Sequence, residues 1–448
     1  MQLPEQLLNS LKGTSGFNKD AFESMHASGE QITSIRVNPF KFSINNGKFS
    51  IENKIPWSEY GYYLQQRPSF TFDPFFHAGC YYVQEASSMF LEQALKQTID
   101  LSQSVKVLDL CAAPGGKSTH IHSLISNESL LVSNEVIRGR CSILKDNIIK
   151  WGCENVVVTN NDPRKFADLE NYFDAIVIDA PCSGSGLFRK DEEAINEWSP
   201  GNVKLCSHRQ QRILSDAWPA LKKGGILIYS TCSYSKEEDE DIVEWFKDNF
   251  PVEICQLALD DSWGIIESSG GYRFWPDKVK GEGFFICCLR KKEGNEYTNF
   301  KNNDKPAFLN KKEMNIVKEW IGVGNDQIIK LEKTIYAVPE ILLQDIYFLS
   351  SALNVIYQGI SVGELIRDKM IPEHALAMSA LVGDKVQRTA LDETTAINFL
   401  KKKNIHIDPV NKGWHLVTYN GCNLGWVNVL ANRVNNYYPK SLRILKDN

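Results

Sequence analysis

Two cysteines carry the chemistry that this sequence offers. Cys182 lies in Asp179-Ala-Pro-Cys-Ser-Gly-Ser-Gly186 and Cys232 in Ser230-Thr-Cys-Ser-Tyr-Ser235. Each follows an apolar, strand-like run, Ala175-Ile-Val-Ile178 and Gly225-Ile-Leu-Ile-Tyr229. Open α/β sheets bind ligands outside the carboxyl ends of their strands, and a thiolate is the strongest nucleophile among the side chains. A buried cysteine is ordinarily a small hydrophobe. Two cysteines in polar, Gly- and Ser-rich strand exits, rather than within the strands, point to nucleophilic catalysis instead.

A further strand exit reads Asp109-Leu-Cys-Ala-Ala-Pro-Gly-Gly-Lys-Ser118. Small residues and paired glycines let backbone amides approach a ligand, with a helix N-terminus behind them. The line is not a phosphate-binding P-loop, because Cys111 stands where the first glycine belongs, and it lacks the third glycine of the dinucleotide fingerprint. A purely structural glycine turn is the plain alternative. The next strand, Leu131-Val-Ser-Asn-Glu135, ends in a carboxylate about twenty residues on, which suits the two hydroxyls of a ribose. The strand after it ends Asn160-Asn-Asp162, where an acid can accept a bond from an adenine amino group. Glycine loop, ribose acid and base-edge acid on successive exits describe a nucleoside cofactor without pyrophosphate. S-adenosylmethionine fits best.

The elements that must hold these residues follow from the alternation of apolar runs with helical patterns between residues 101 and 292. Val105–Leu110, Leu130–Ser133, Val156–Val158, Ala175–Ile178 and Ile226–Tyr229 read as parallel strands of βαβ units, and Gly283–Leu289 as a closing strand. Residues 1–100 form an N-terminal region containing Ser34-Ile-Arg-Val-Asn-Pro39 and an aromatic-rich stretch from Tyr60 to Tyr82. Polar residues 293–310 read as a linker. Residues 311–365 read as a small intermediate domain and 366–448 as a C-terminal module, in which Asn420-Gly421 marks a hairpin turn.

A chain of 448 residues with 43% hydrophobic and 23% charged residues suits a multidomain globular protein. No apolar run approaches the ~18 residues of a membrane span, and the N-terminus lacks the layout of a signal peptide. The 11 scattered cysteines form no C-x-x-C pair, and the 8 histidines form no metal-like cluster. A cytoplasmic protein without a metal and without membrane contact is expected. Net charge is -5, yet the segment from Lys401 to Asn448 holds eight Lys or Arg against Asp408 and Asp447, an excess of 8 − 2 = +6. Such a bias fits a nucleic-acid-facing surface or plain solvated charge. An acidic run, Glu237-Glu-Asp-Glu-Asp241, lies elsewhere.

Taken together, Asp109 to Ser118, Asp-Ala-Pro-Cys-Ser-Gly, Ser-Thr-Cys-Ser-Tyr-Ser, Arg36-Val-Asn38 and Tyr82-Val-Gln-Glu-Ala-Ser-Ser-Met89 resemble the RNA cytosine-C5 methyltransferases of the Nol1/Nop2/Sun type. The tail, with Pro372-Glu-His-Ala-Leu-Ala-Met378 and Tyr437-Tyr-Pro-Lys-Ser-Leu-Arg443, is similar to the PUA-like extension of the bacterial F-type enzymes, which act on small-subunit ribosomal RNA. The resemblance implies a Rossmann-like, S-adenosylmethionine-dependent α/β domain with an N-terminal RNA-binding region and a C-terminal PUA-like α+β module. It assigns cofactor contacts to Cys111, Ala112, Ala113, Pro114, Gly115, Gly116, Lys117, Glu135, Asp162 and Asp179. It also makes Cys232 the nucleophile that adds to cytosine carbon 6 and Cys182 the residue that assists release. DNA cytosine methyltransferases use the cysteine of a Pro-Cys pair, which here is Cys182, so the residues alone leave both orders open. Asp179 can hold the cytosine edge as well as the cofactor, and Lys190 is either a substrate contact or a solvated loop lysine. The implied partner is ribosomal RNA or the small subunit, engaged by a monomer with no obligate protein partner; transfer RNA is the alternative substrate. Arg36 and the Tyr60–Tyr82 aromatics can track a flipped-out nucleotide or serve as core. Adenine or glutamine amino methylation would need Asn-Pro-Pro-Tyr or Asp-Pro-Pro-Tyr in place of Asp-Ala-Pro-Cys. A DNA methyltransferase would leave Cys232 without a role, and a non-catalytic RNA-binding or assembly protein would not need both thiols.

Overall fold

The computed structural model describes residues 3–46, 49–294, 307–322, 326–407 and 411–446. Strands β1 (Thr33–Val37), β2 (Ile51–Lys54), β3 (Gly61–Leu64) and β4 (Tyr81–Val83) make a small antiparallel sheet in the order β2-β3-β1-β4. The apolar runs that follow become β5 (Lys106–Asp109), β6 (Leu130–Asn134), β7 (Val156–Thr159), β8 (Phe173–Asp179) and β9 (Leu221–Thr231). They pair in parallel in the order β7-β6-β5-β8-β9. Because successive side chains point to opposite faces, Val107, Leu131, Val158, Val177 and Ile228 enter one apolar layer. Leu108, Val132, Val157, Ile176 and Leu227 enter the other. A sheet buried on both faces needs such uninterrupted apolar runs.

Beyond β9 the sheet continues antiparallel. β10 (Val252–Ile254) and β12 (Gly271–Phe274) both pair with β13 (Phe284–Lys291), which runs along β9, and β11 (Ile266–Ser268) pairs with β12. Both β6 and β8 flank β5, so the strand order reverses at β5 and opens a crevice at its carboxyl end. This is the Rossmann-like architecture expected.

A second small sheet contains β14 (Asp326–Leu331), β15 (Thr334–Pro339), β17 (Ile360–Ile366) and β18 (Lys369–Pro372), so it runs past residue 365. Between them, β16 (Val355–Gln358) pairs antiparallel with β7 and extends the central sheet. The C-terminal sheet is β19 (Gln387–Ala390), β20 (Gly413–Tyr419), β21 (Cys422–Val429) and β22 (Val434–Asn436). Asn420 and Gly421 join β20 to β21 with φ of 44° and 83°, the left-handed pair that a two-residue hairpin turn requires. Of the expected linker, residues 295–306 lie outside the described residues. Among those described, no helix is long and apolar enough to cross a membrane.

The packing bears on two readings that the residues alone leave open. The C-terminal module does not stand apart: Phe399, Tyr419, Leu424 and Val427 share one apolar cluster with Ile35, Val37, Phe75 and Tyr81 of the N-terminal region. Arg36 does not face a nucleotide either, for it is fully buried. Its guanidinium donates to Gln84 Oε1 at 2.8 Å, Thr119 Oγ1 at 2.6 Å and the Gly116 carbonyl at 3.2 Å, and it lies 4.6 Å from the Trp151 ring centroid. Burying a guanidinium is costly without such partners, so Arg36 fastens the N-terminal sheet to the glycine loop.

Candidate active site

The parallel register of β8 and β9 sets Asp179 opposite Ser230, so the chain leaves both strands at the same edge. Cys182 and Cys232 therefore meet, with sulfurs 2.9 Å apart and both thiols free. The two loops interlock. The Gly186 amide donates to the Cys232 carbonyl at 2.8 Å, and the Tyr234 amide donates to Ser185 Oγ at 2.9 Å. A Cβ on Gly186 would come within 2.5 Å of the Gly283 oxygen and 2.7 Å of the Cys232 oxygen, so only glycine fits that crossing.

Beneath the thiols sits Glu238, a fully buried carboxylate. It accepts bonds from the Ser183 amide at 2.7 Å, Ser183 Oγ at 2.5 Å, Ser233 Oγ at 2.6 Å and Gln210 Nε2 at 3.4 Å. Each serine is the immediate neighbour of one cysteine of the pair, so one side chain ties both loops together. Gln210 comes from the helix Pro200–Ala217, which Ser199 caps by accepting from the Asn202 amide. Burial raises the Glu238 carboxyl above the ordinary carboxylate range, against the pull of these hydrogen bonds. The Cys182 thiol is raised well above its ordinary value, first by its hydrogen bond with Cys232, then by burial, with the Glu238 charge adding to both.

On the other side of the crevice, residues Cys111 to Lys117 link β5 to the helix Gly116–His122. The Ala112 amide donates to Asn134 O at 2.8 Å, while Arg140 and Asn147 donate to the carbonyls of Ala113 and Pro114 at 2.7 and 2.8 Å. Gly115 has φ of 113°, which a side chain would strain. Cys111 is half-buried, and burial raises its thiol, so it is a wall rather than a nucleophile. Lys117 Nζ lies 2.8 Å from Asp179 Oδ2, and Ser230 Oγ donates to Asp179 Oδ1 at 2.8 Å. This chain of contacts joins the glycine loop to the thiol loops.

Glu135 is buried at the end of β6, with Oε1 accepting from the Ile137 amide at 2.9 Å and Oε2 3.7 Å from Arg140 Nη1. Asp162 stands apart: it is exposed and spends its carboxylate on the Arg164 amide at 3.0 Å, capping the turn Pro163–Asp168. Lys190 is also exposed. Asp109 is a residue that motif reading passed over. It is wholly buried, Ser118 Oγ donates to its Oδ2 at 2.6 Å, and its Oδ1 has no hydrogen-bond partner among the described residues. Desolvation, with Asp179 and Glu135 nearby, pushes it up to about 7. Its place at the first residue of the glycine-loop motif is the signal that would have found it. For Glu238 the signal is its spacing, six residues beyond Cys232.

Glycine loop, buried acids and open crevice on this sheet define an S-adenosylmethionine-dependent methyltransferase. The cradle at Gly115, the buried Glu135 and the unpartnered Asp109 Oδ1 fit a cationic nucleoside. Residues 96–290 match the family model described as 16S rRNA methyltransferase RsmB/F, residues 3–86 the N-terminal domain of 16S rRNA methyltransferase RsmF, and residues 386–444 the methyltransferase RsmF PUA domain. Ribosomal RNA small subunit methyltransferase F of Vibrio vulnificus is 30% identical over 98% of this chain and 97% of its own length. Its namesake in Aeromonas salmonicida is 31% identical over 93% and 91%. Among solved structures, a methyltransferase homolog protein from Pyrococcus horikoshii, 30% identical, covers 64% of this chain and 100% of its own with a TM-score of 0.51. NSun6 of the same organism, solved with SFG, shares the fold at 20% identity and a TM-score of 0.56, over 65% of this chain and 99% of its own. The chain belongs to the small-subunit ribosomal RNA methyltransferase F family.

Proposed function

We propose that this protein methylates carbon 5 of a cytosine in small-subunit ribosomal RNA, with Cys232 as nucleophile and Cys182 as the thiol that assists release. The observation that carries this reading is the 2.9 Å thiol pair at the exits of β8 and β9, across the crevice from the glycine loop. Carbon 5 of cytosine is too weakly nucleophilic to take a methyl group directly. Addition of the Cys232 sulfur to carbon 6 forms a C–S bond and leaves carbon 5 as an enamine carbon. S-adenosylmethionine supplies an electrophilic sulfonium methyl group. Methylated carbon 5 then gives up its proton to solvent, the electron pair returns to the ring, and the C–S bond to Cys232 breaks, its sulfur leaving as a thiolate that takes up the Cys182 proton.

The raised Cys182 thiol supports this order, since a group that holds its proton suits release rather than attack. Asp179, fixed by Lys117 and Ser230 and partly exposed, meets the cytosine edge in this reading. Glu135 and the loop from Cys111 to Lys117 would hold the nucleoside, and the buried Asp109 carboxyl lies at the start of that loop. Free thiols throughout the described chain suit a reducing cytoplasm, where the protein acts as a monomer.

The test uses ribosomal RNA bearing 5-fluorocytidine, which cannot lose a proton from carbon 5. Wild-type protein should form an adduct that survives a denaturing gel, and Cys232→Ala should form none. On unmodified RNA, Cys182→Ala should accumulate the adduct. Adduct formation by Cys232→Ala but not by Cys182→Ala reverses the roles. Bisulfite sequencing of ribosomal RNA from a deletion strain identifies the cytosine.

A further inference from the structure

A cleft of about 490 Å³ opens where three parts of the chain meet, beside the glycine loop and away from the thiols. The N-terminal region supplies Arg67, Phe70, Phe76 and Tyr82, the helix Arg138–Trp151 supplies Lys150, and the C-terminal tail supplies Lys446. Among the described residues, the wall holds three cations and no carboxylate. Its aromatic rings already sit against those charges: the Arg67 guanidinium lies 5.3 Å from the Phe70 centroid and the Lys150 ammonium 4.1 Å from that of Phe76. Burial, with Lys41 close by, lowers Lys150 to about 8 against the opposing charge of Asp146, so an added anion here meets a poorly solvated cation. The volume falls within the ~300–1,000 Å³ range of small-molecule sites.

Positive charge interleaved with half-buried aromatic rings suits an unpaired nucleotide, since phosphates bind the cations and bases stack on rings without regard to sequence. Two walls are shared with the glycine loop. A Cβ on Gly116 would stand 3.3 Å from the Tyr82 ring, and Asn147, also lining the cleft, holds the Pro114 carbonyl. We propose that this cleft holds one unstacked nucleotide of the RNA substrate, remote from the target cytosine, with its flanking phosphates against Arg67, Lys150 and Lys446. The proposal rests on the RNA reading above and adds a second contact point that uses all three parts of the chain.

The test is the double variant Arg67→Gln/Lys446→Gln in the full-length protein, chosen because both residues are exposed. Single-stranded contacts contribute a slope of about −0.7 each to log K against log salt. Loss of two should therefore flatten the slope by about 1.4, and if affinities converge near 1 M salt, binding at 0.1 M falls roughly 25-fold. Methylation should show a raised KM for RNA with kcat kept, and S-adenosylmethionine affinity and melting should be unchanged. Photocrosslinking with 4-thiouridine RNA should label the Phe70 or Tyr82 peptide in wild type and not in the variant. A wild type that methylates RNA beside a variant with unchanged slope and KM overturns the cleft alone. Wild type that neither binds nor methylates RNA overturns the parent reading and the cleft with it. Cytidine monophosphate binding that the variant loses while its KM for RNA is unchanged assigns the cleft to a free nucleotide and overturns the RNA subsite.

Discussion

Replacing Glu238 separates the geometry of the thiol pair from its electrostatics. In Glu238→Ala, the Ser183 amide and two serine hydroxyls lose a buried acceptor that holds them at 2.5–2.7 Å. Leaving one such donor unsatisfied costs ~1–3 kcal/mol; because the hydroxyls can turn to other acceptors, a stability loss of roughly 2–4 kcal/mol is expected. The larger effect falls on catalysis. The loops carrying Cys182 and Cys232 lose their common tie, and a displacement of about 1 Å can cost ~100-fold in rate. Glu238→Gln behaves differently. Its amide oxygen can keep the Ser183 amide, and its NH2 can donate to hydroxyls that rotate, so the fold should melt close to wild type. The charge is gone, however, and with it one of the influences that raise the Cys182 thiol. The pH at which Cys182 reacts with iodoacetamide should therefore move down in Glu238→Gln. Mass-spectrometric alkylation profiles of Cys182 and Cys232, read beside melting curves and single-turnover methylation, measure all three quantities. An Ala variant with wild-type turnover, or a Gln variant with an unmoved alkylation profile, would refute this account of Glu238.

Further outcomes are expected elsewhere in the site. Asp109 is raised from 3.8 to about 7, so its contribution to stability is full below pH 4 and is lost as pH rises through 7; the cofactor-free protein should lose on the order of 4 kcal/mol across that window. Asp109→Asn should flatten this loss, and parallel pH–denaturation curves for the two proteins would contradict it. Glu135→Ala should weaken S-adenosylmethionine binding by roughly 1–3 kcal/mol in calorimetry. Asp162→Ala should weaken it less, because that carboxylate is committed to the turn after it. Truncation at residue 365 should lower the melting temperature of what remains, because it strips Phe399, Tyr419 and Leu424 from the cluster that covers Ile35 and Tyr81; an unchanged melt would show that the N-terminal region is self-sufficient.

The parts of this molecule that were legible in its sequence share a physical property: they are local. Strands β5 to β9 appear as apolar runs because both faces of a parallel sheet are buried, and their exits are legible because glycine, proline and small polar residues must follow. The Asn420-Gly421 turn is legible for the same reason. What escaped reading depends on partners distant in the chain. The run Glu237–Asp241 has the composition of a solvated surface, yet Glu238, Asp239 and Glu240 are 0%, 0% and 1% exposed. Their burial is made possible by serines on two loops and by Arg273, more than thirty residues on, which pairs with Glu240 and lies 3.1 Å from Asp239. Arg36 likewise has the chemistry of a phosphate contact, but its acceptors at Gly116 and Thr119 are eighty residues away. Charge in a sequence reports what a residue can bind, whereas packing decides whether water, RNA or the protein itself gets there first. In this protein the buried charges of Arg36 and Glu238 are spent on holding the glycine loop and the thiol loops in place. The charges left to solvent, Arg67 and Lys446 among them, are the ones available to a polyanion.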